Sequence, residues 1–253
     1  MKRFRFPVLL LLFSLLGCTA GRVDFADLDI VPVTEPVEYR YAPVKGKIRL
    51  TTEFTSPKKR TRVVSEFFYA SELKGDLLQW SVDVNLRSPD VNSDMNFDVA
   101  TDVEGNVVTR RMRVRDGVTM KEYAPGSEKY LQAEGLFRMI FIPVVYTKLV
   151  SRDVISQHSP LVPNSVRNLL RENTETTLLG RTTYRERECY VIRFHDSGES
   201  VGDMDGKRIK AKLKGFLLVD AETLAAVAGE STFRILDNGV EVLRGESVAE
   251  EME

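Results

Sequence analysis

The chain has 253 residues, with 36 lysines and arginines against 37 aspartates and glutamates, a formal net charge of −1 at pH 7. So even a balance excludes a nucleic-acid binder that works through a strongly basic surface. Hydrophobic residues make up 43% of the chain, enough for one sizeable core, and large β domains often run to this length unbroken.

At the N-terminus, Lys2, Arg3 and Arg5 form a positive n-region. Residues 8–16 follow as an apolar run broken only by Ser14, too short to span a bilayer. Leu15, Leu16, Gly17 and Cys18 come next. This stretch resembles the lipobox of bacterial lipoproteins. The resemblance implies a signal peptide over 1–17, cleavage after the small Gly17, and acyl groups on Cys18 that make the membrane a partner. Several acyl chains hold a protein on a bilayer where one alone is marginal. In such lipoproteins an Asp after the lipidated Cys marks inner-membrane retention. Thr19 stands here, which implies the outer membrane, facing the periplasm. With Cys18 acylated, Cys189 has no cysteine to pair with, so the fold must rest on its apolar core. Residues 18–44, with Pro32, Pro36 and Pro43 and no hydrophobic period, read as the lipid anchor and a flexible tether.

From Lys47 the chain alternates. Ile48, Leu50, Thr52 and Phe54 share one parity. A turn at Ser56 and Pro57 leads to a strand over 62–70, and Gly75 turns the chain again. Leu78, Trp80, Val82, Val84 and Leu86 then share a face, as do Met95, Phe97 and Val99. Gly105 and Asn106 mark a hairpin before a return over 107–114. Five strands joined by short turns make a meander with one apolar face.

The pattern changes after Pro125, Gly126 and Ser127, a break with an N-cap candidate. In 130–150, Leu136, Phe137, Ile140, Phe141, Val144 and Val145 recur at helical spacing, which predicts a helical segment kinked at Pro143. Beyond a loop with Pro160 and Pro163, Asn164 can cap a short helix carrying Val166, Leu169 and Leu170. A second meander starts near Glu175, with strands near 177–179, over 187–194, 207–219, 224–236 and 240–248. Asn238 and Gly239 give a strong hairpin signal, because both accept positive φ cheaply.

The expected fold is mainly β (α+β): a curved antiparallel sheet of about ten strands in two meanders. The central helical segment closes it, giving a single half-barrel domain with a helical lid over 45–250. A cavity under that lid would be lined by Trp80, Met95, Phe97, Phe137, Ile140 and Phe141. Lipobox, meander, helical interruption and second meander together are similar to the lipoprotein-localisation superfamily. So is the piece over 180–194, with Tyr184, Cys189, Tyr190 and Val191, followed by Phe216 to Thr223 with its D-x-E-T turn. The resemblance implies binding or transfer of a lipophilic ligand, such as acyl chains, a lipid or a lipoprotein, without covalent chemistry. A non-catalytic scaffold or accessory subunit of an envelope complex is the alternative, with an envelope protein as partner.

Motifs for chemistry are few. Gly198, Ser200 and Gly202 match the spacing of a nucleophile elbow, but a strand rather than a helix is expected after them. Asp196, Asp203 and Asp205 lack the distal glutamate of a calcium loop. His158 and His195 with one usable Cys make a zinc site improbable. The reading is therefore no enzyme, no cofactor and no metal. Two basic groups remain, one of Arg110, Arg111, Arg113 and Arg115, the other a stripe of Arg208, Lys210, Lys212 and Lys214. Each reads as a solvated sheet face, and the stripe also as a candidate contact for anionic headgroups.

Overall fold

The computed structural model describes residues 23–252 except 91, 117, 145–147, 157–159, 163–173, 197–199 and 205–206. Alternation of apolar and polar residues is realised as strands. In chain order these are β1 (Val37–Glu38), β2 (Lys45–Thr55), β3 (Arg60–Lys74), β4 (Leu77–Arg87), β5 (Asn92–Thr101), β6 (Met112–Asp116) and β7 (Thr119–Tyr123). One helix, α1 (Glu128–Phe137), follows, then β8 (Lys148–Leu149), β9 (Val154–Ser156), β10 (Thr174–Tyr184), β11 (Arg187–Asp196), β12 (Ser200–Met204), β13 (Lys207–Asp220), β14 (Ala226–Asp237) and β15 (Val240–Glu251). Thirteen of the strands form one antiparallel sheet, in the order β7-β6-β5-β4-β3-β2-β15-β14-β13-β11-β10-β9, with β12 paired to β13 beside this path. The two meanders join where β2 pairs with β15, Thr52 opposite Ser247 and Leu50 opposite Ala249. β1 and β8 make a separate two-stranded ribbon.

The sheet curls round a single core. From β4 to β11 are six strand-to-strand steps, about 29 Å if the sheet were flat. Yet Tyr39 lies against Tyr190 of β11, and Tyr41, two residues on, lies against Trp80 of β4. The inner faces of both halves therefore belong to one apolar cluster, which includes Leu50, Phe67, Phe97, Ile192, Leu217 and Phe233. The sheet does not close into a barrel, since β7 and β9 end it without pairing to each other.

The expected helical lid is corrected. Among the described residues of this segment the helix ends at Phe137, and the chain then leaves it through turn hydrogen bonds from the amides of Met139, Ile140 and Phe141. Residues 141–144 carry no regular structure, and β8 is extended. Two features stop the helix. Ile140, Ile142 and Val144 are β-branched, and Pro143 both lacks an amide hydrogen and disfavours a helical Ile142. The segment is nonetheless buried, with Ile140, Phe141 and Ile142 each 1% exposed. The structure is thus nearly all β, not an α+β half-barrel with a helical lid, and it has more strands than expected. The return strand read over 107–114 is instead a single bridge from Val107 to Thr101 followed by β6. The short helix expected at Asn164, and the position of His158, lie outside the described residues.

Residues 23–44, read from sequence as part of a spacer, lie on the domain. Val31 bridges Arg181, Tyr39 is fully buried and Tyr41 nearly so. Cys18 lies outside the described residues.

Candidate functional site

Inward-facing alternation on β4 and β5 places Trp80, Met95 and Phe97 on the inner surface of the sheet. Phe137 closes α1, and Ile140 and Phe141 follow in the irregular strap of residues 138–144. All six residues expected to line a cavity are therefore buried in one cluster. Five aromatic rings meet there, Tyr41 standing edge-on to Trp80 and Phe141. Phe141 lies 4.4 Å from Trp80, 4.6 Å from Phe137 and 5.1 Å from Tyr69, between ring centroids. Such stacked, tilted and edge-on pairs add to the burial of the rings themselves. The Trp80 indole donates to Thr101 Oγ1 at 2.9 Å, so its one polar group is satisfied. At this point the space inside the sheet is filled by the strap itself. An apolar guest would reach Trp80 by displacing residues 138–144.

Few polar bonds hold the strap. The Tyr41 hydroxyl donates to the Ile142 carbonyl at 3.0 Å and accepts from the Ile142 amide at 2.8 Å. The Val144 amide donates to the Glu104 carbonyl at 2.8 Å, and the Leu161 amide donates to the Met139 carbonyl at 2.9 Å. Arg138 Nη1 donates to the Gly105 carbonyl at 2.6 Å. Gly105 has φ +83°, and an added Cβ there would stand 2.7 Å from the Tyr41 ring, so no larger residue fits the turn. Arg138 is 8% exposed, and burial pulls its pKa down against the nearby Glu134 carboxylate. Its position at the C-terminus of α1 suits a cation.

Tyr39, Tyr41 and Arg138 are the members of this site that sequence reasoning missed. The first two sat in a stretch read as tether, although their two-residue spacing around the exposed Arg40 was the available signal.

The basic stripe lies elsewhere. Lys210, Lys212 and Lys214 alternate with the buried Ile209, Ala211 and Leu213, and so project from the outer face of β13. The side chain of Arg208 lies outside what is described. In the other basic group Arg111 pairs with Glu122 and Arg113 with Asp98, as on a solvated sheet face. Ser200 opens β12, which pairs with β13 as a hairpin strand, while Gly198 and Asp205 fall outside the described residues. Among the described residues no group of three or more His, Cys, Asp or Glu could hold a metal ion.

Fold and site together define a single-sheet antiparallel β protein wrapped round an apolar interior. No family model matches the sequence, and no curated protein matches it. Among solved structures, a DUF1329 family protein from Desulfovibrio piger is similar over 81% of this chain and 83% of its own, at 12% identity and a TM-score of 0.29. DynF, from the dynemicin biosynthesis pathway of Micromonospora chersina, is similar over 92% of this chain and 89% of its own, at 7% identity and a TM-score of 0.26. At TM-scores this low neither likeness carries an argument about this chain.

Proposed function

We propose that the chain is a lipid-anchored envelope protein, held on the outer membrane through Cys18, that binds or transfers a lipophilic ligand on the inner face of its sheet. The ligand class is an acyl chain, a lipid or a lipoprotein. The observation that carries this reading is the strap. An irregular, almost wholly apolar stretch lies in the interior of an unclosed sheet, tied to the rest of the described residues by five polar bonds, at Tyr41, Glu104, Gly105 and Leu161. It occupies the place of an extended acyl chain and buries the same kind of surface. Replacing it with a ligand exchanges apolar contacts for apolar contacts, so the exchange costs little beyond those polar bonds.

The test is native mass spectrometry of residues 19–253 with lipid extraction. Co-purifying acyl lipid, or uptake of added fatty acid at one-to-one stoichiometry, is the expected result. A chain that carries no lipid and takes up none refutes the proposal.

A scaffold role in an envelope complex is the second reading, favoured by the packing of Phe137, Ile140 and Phe141, each at most 1% exposed. Its mark would be a stoichiometric protein partner from detergent-solubilised membranes, with no lipid uptake.

A further inference from the structure

A second, smaller apolar cluster lies on the outer face of the sheet. It joins Val23 to Cys189, Val191, Phe216, Leu218 and Ala228. The segment over 23–31 covers it. The Phe25 ring lies 5.1 Å from Phe216, and Val31 exchanges two 2.8 Å backbone hydrogen bonds with Arg181. Gly180 admits the crossing, because a Cβ there would stand 2.4 Å from the Val31 carbonyl oxygen. The chain thus reaches the domain on its outer face. Cys18 precedes Val23 by five residues, which confines it to within roughly 18 Å of Val23 even at full extension.

The basic stripe is on this same face. Phe216 and Leu218, beneath the covering segment, share their parity on β13 with Lys214, Lys212 and Lys210. Lys212 and Lys214 are exposed, with no ion pair among the described residues. Opposite Lys212 stands Arg234, and opposite Arg234 stands Arg244, each offset by a carboxylate, Glu241 and Glu246. Beside Phe25 a groove of about 380 Å³ is lined by Arg193, His195, Lys214, Glu230 and Thr232. His195 lies opposite Lys214 across the ladder, and its Nδ1 is buried with no hydrogen-bond partner among the described residues. The acidic residues of the covering segment, Asp24, Asp27 and Asp29, line a different groove, with Arg181, Tyr184 and Glu188 near the β10–β11 turn. The outer face therefore carries its lysine stripe on the β13 side of Phe25, with the carboxylates Glu230, Glu241 and Glu246 interspersed on β14 and β15, and a cluster of acidic residues on the other side.

We infer that in the anchored protein this basic side of the outer face lies on an anionic lipid surface, Lys210, Lys212 and Lys214 against the headgroups and one headgroup phosphate in the groove between Arg193, His195 and Lys214. The inference rests on the lipid-anchor reading for its orientation. A short connection from Cys18 and a basic stripe on one face supply the two signals that stable membrane attachment needs.

The experiment is co-sedimentation of residues 19–253, which include every described residue, with phosphatidylcholine vesicles with and without phosphatidylglycerol. Binding to the anionic vesicles alone is expected, weakening as salt is raised. The triple variant K210Q/K212Q/K214Q should lose on the order of 100-fold in affinity, at about fivefold per lysine. Its melting temperature, measured alongside, should stay unchanged. Equal binding to neutral and anionic vesicles, or a triple variant that folds and binds as the parent does, overturns the inference. The mass of the Cys18 peptide from membranes tests the anchor separately, so the two readings fail by different results.

Discussion

Tyr41 shows how one side chain fixes the strap. Its hydroxyl satisfies both backbone groups of Ile142 in a place that water does not reach. Tyr41→Phe leaves that amide and carbonyl buried and unpaired, which costs about 1–3 kcal/mol. Urea denaturation should show the loss as a lower midpoint with an unchanged slope. Buried thiol and phenol groups shape the response to alkali. Burial, with Asp220 beside it, pushes the Cys189 thiol up to about 11 from an ordinary 9.0. Burial likewise raises the phenols of Tyr39, Tyr41 and Tyr69 above their ordinary 10.0. These groups stay protonated in the folded chain after the unfolded chain has released its protons. The folded state then holds more protons, so stability falls as pH rises. The contribution is complete below the unfolded value of 9.0 for the thiol and is lost as pH climbs through about 11. Melting temperatures should therefore be insensitive to these groups at neutral pH and drop above 9.0. Cys189 should resist a thiol reagent at neutral pH until urea unfolds the chain.

Among the elements, the long strands were legible because one face of each meets water. β2, β4 and β5 alternate in sequence and in burial along most of their length, and β13 does so over 209–214, beyond which residues 216–219 are buried on both faces. The strap was not legible as such. A buried apolar run satisfies helical spacing by chance, and only the β-branched residues around Pro143 argued otherwise. β7, β9 and β12 are three to five residues long, too short for a period to register. The packing of residues 23–31 was hidden for another reason. Proline spacing reads as linker, while the residues that receive the segment, Gly180 and Phe216, lie far along the chain. Gly180 makes this testable. Gly180→Val forces a branched side chain against the Val31 carbonyl and should release the segment, leaving the inner core in place. Hydrogen exchange should then speed up at the Val31 and Arg181 amides, and stay slow at those of Val82 and Phe97. Trp80, Met95 and Phe97 were legible as inward-facing from strand parity, while Phe137, Ile140 and Phe141 were expected on a helical lid; all six were expected to line a cavity and are buried in one cluster. Tyr39, Tyr41 and Arg138 were not legible, since their role depends on contacts between distant segments.

At the scale of the whole molecule, two meanders that sequence separates become one surface through the pairing of β2 with β15. Pairing the first long strand with the last joins the two meanders edge to edge, and it lets a single core run under both halves. The curl of that surface gives the protein two distinct faces. Inside lie the strap and the aromatic cluster; outside lie the entry of the chain and the basic stripe. The central claim is that the strap can yield its place to a lipophilic guest. Trp80 is the one tryptophan of the chain and lies in contact with Phe141, so it reports directly on that exchange. The measurement is Trp80 fluorescence during titration with a fatty acid brominated along its acyl chain. Saturable quenching, relieved by the unbrominated acid and enhanced in Tyr41→Phe, is the result the account predicts. Emission unchanged at every concentration, in both proteins, would contradict it.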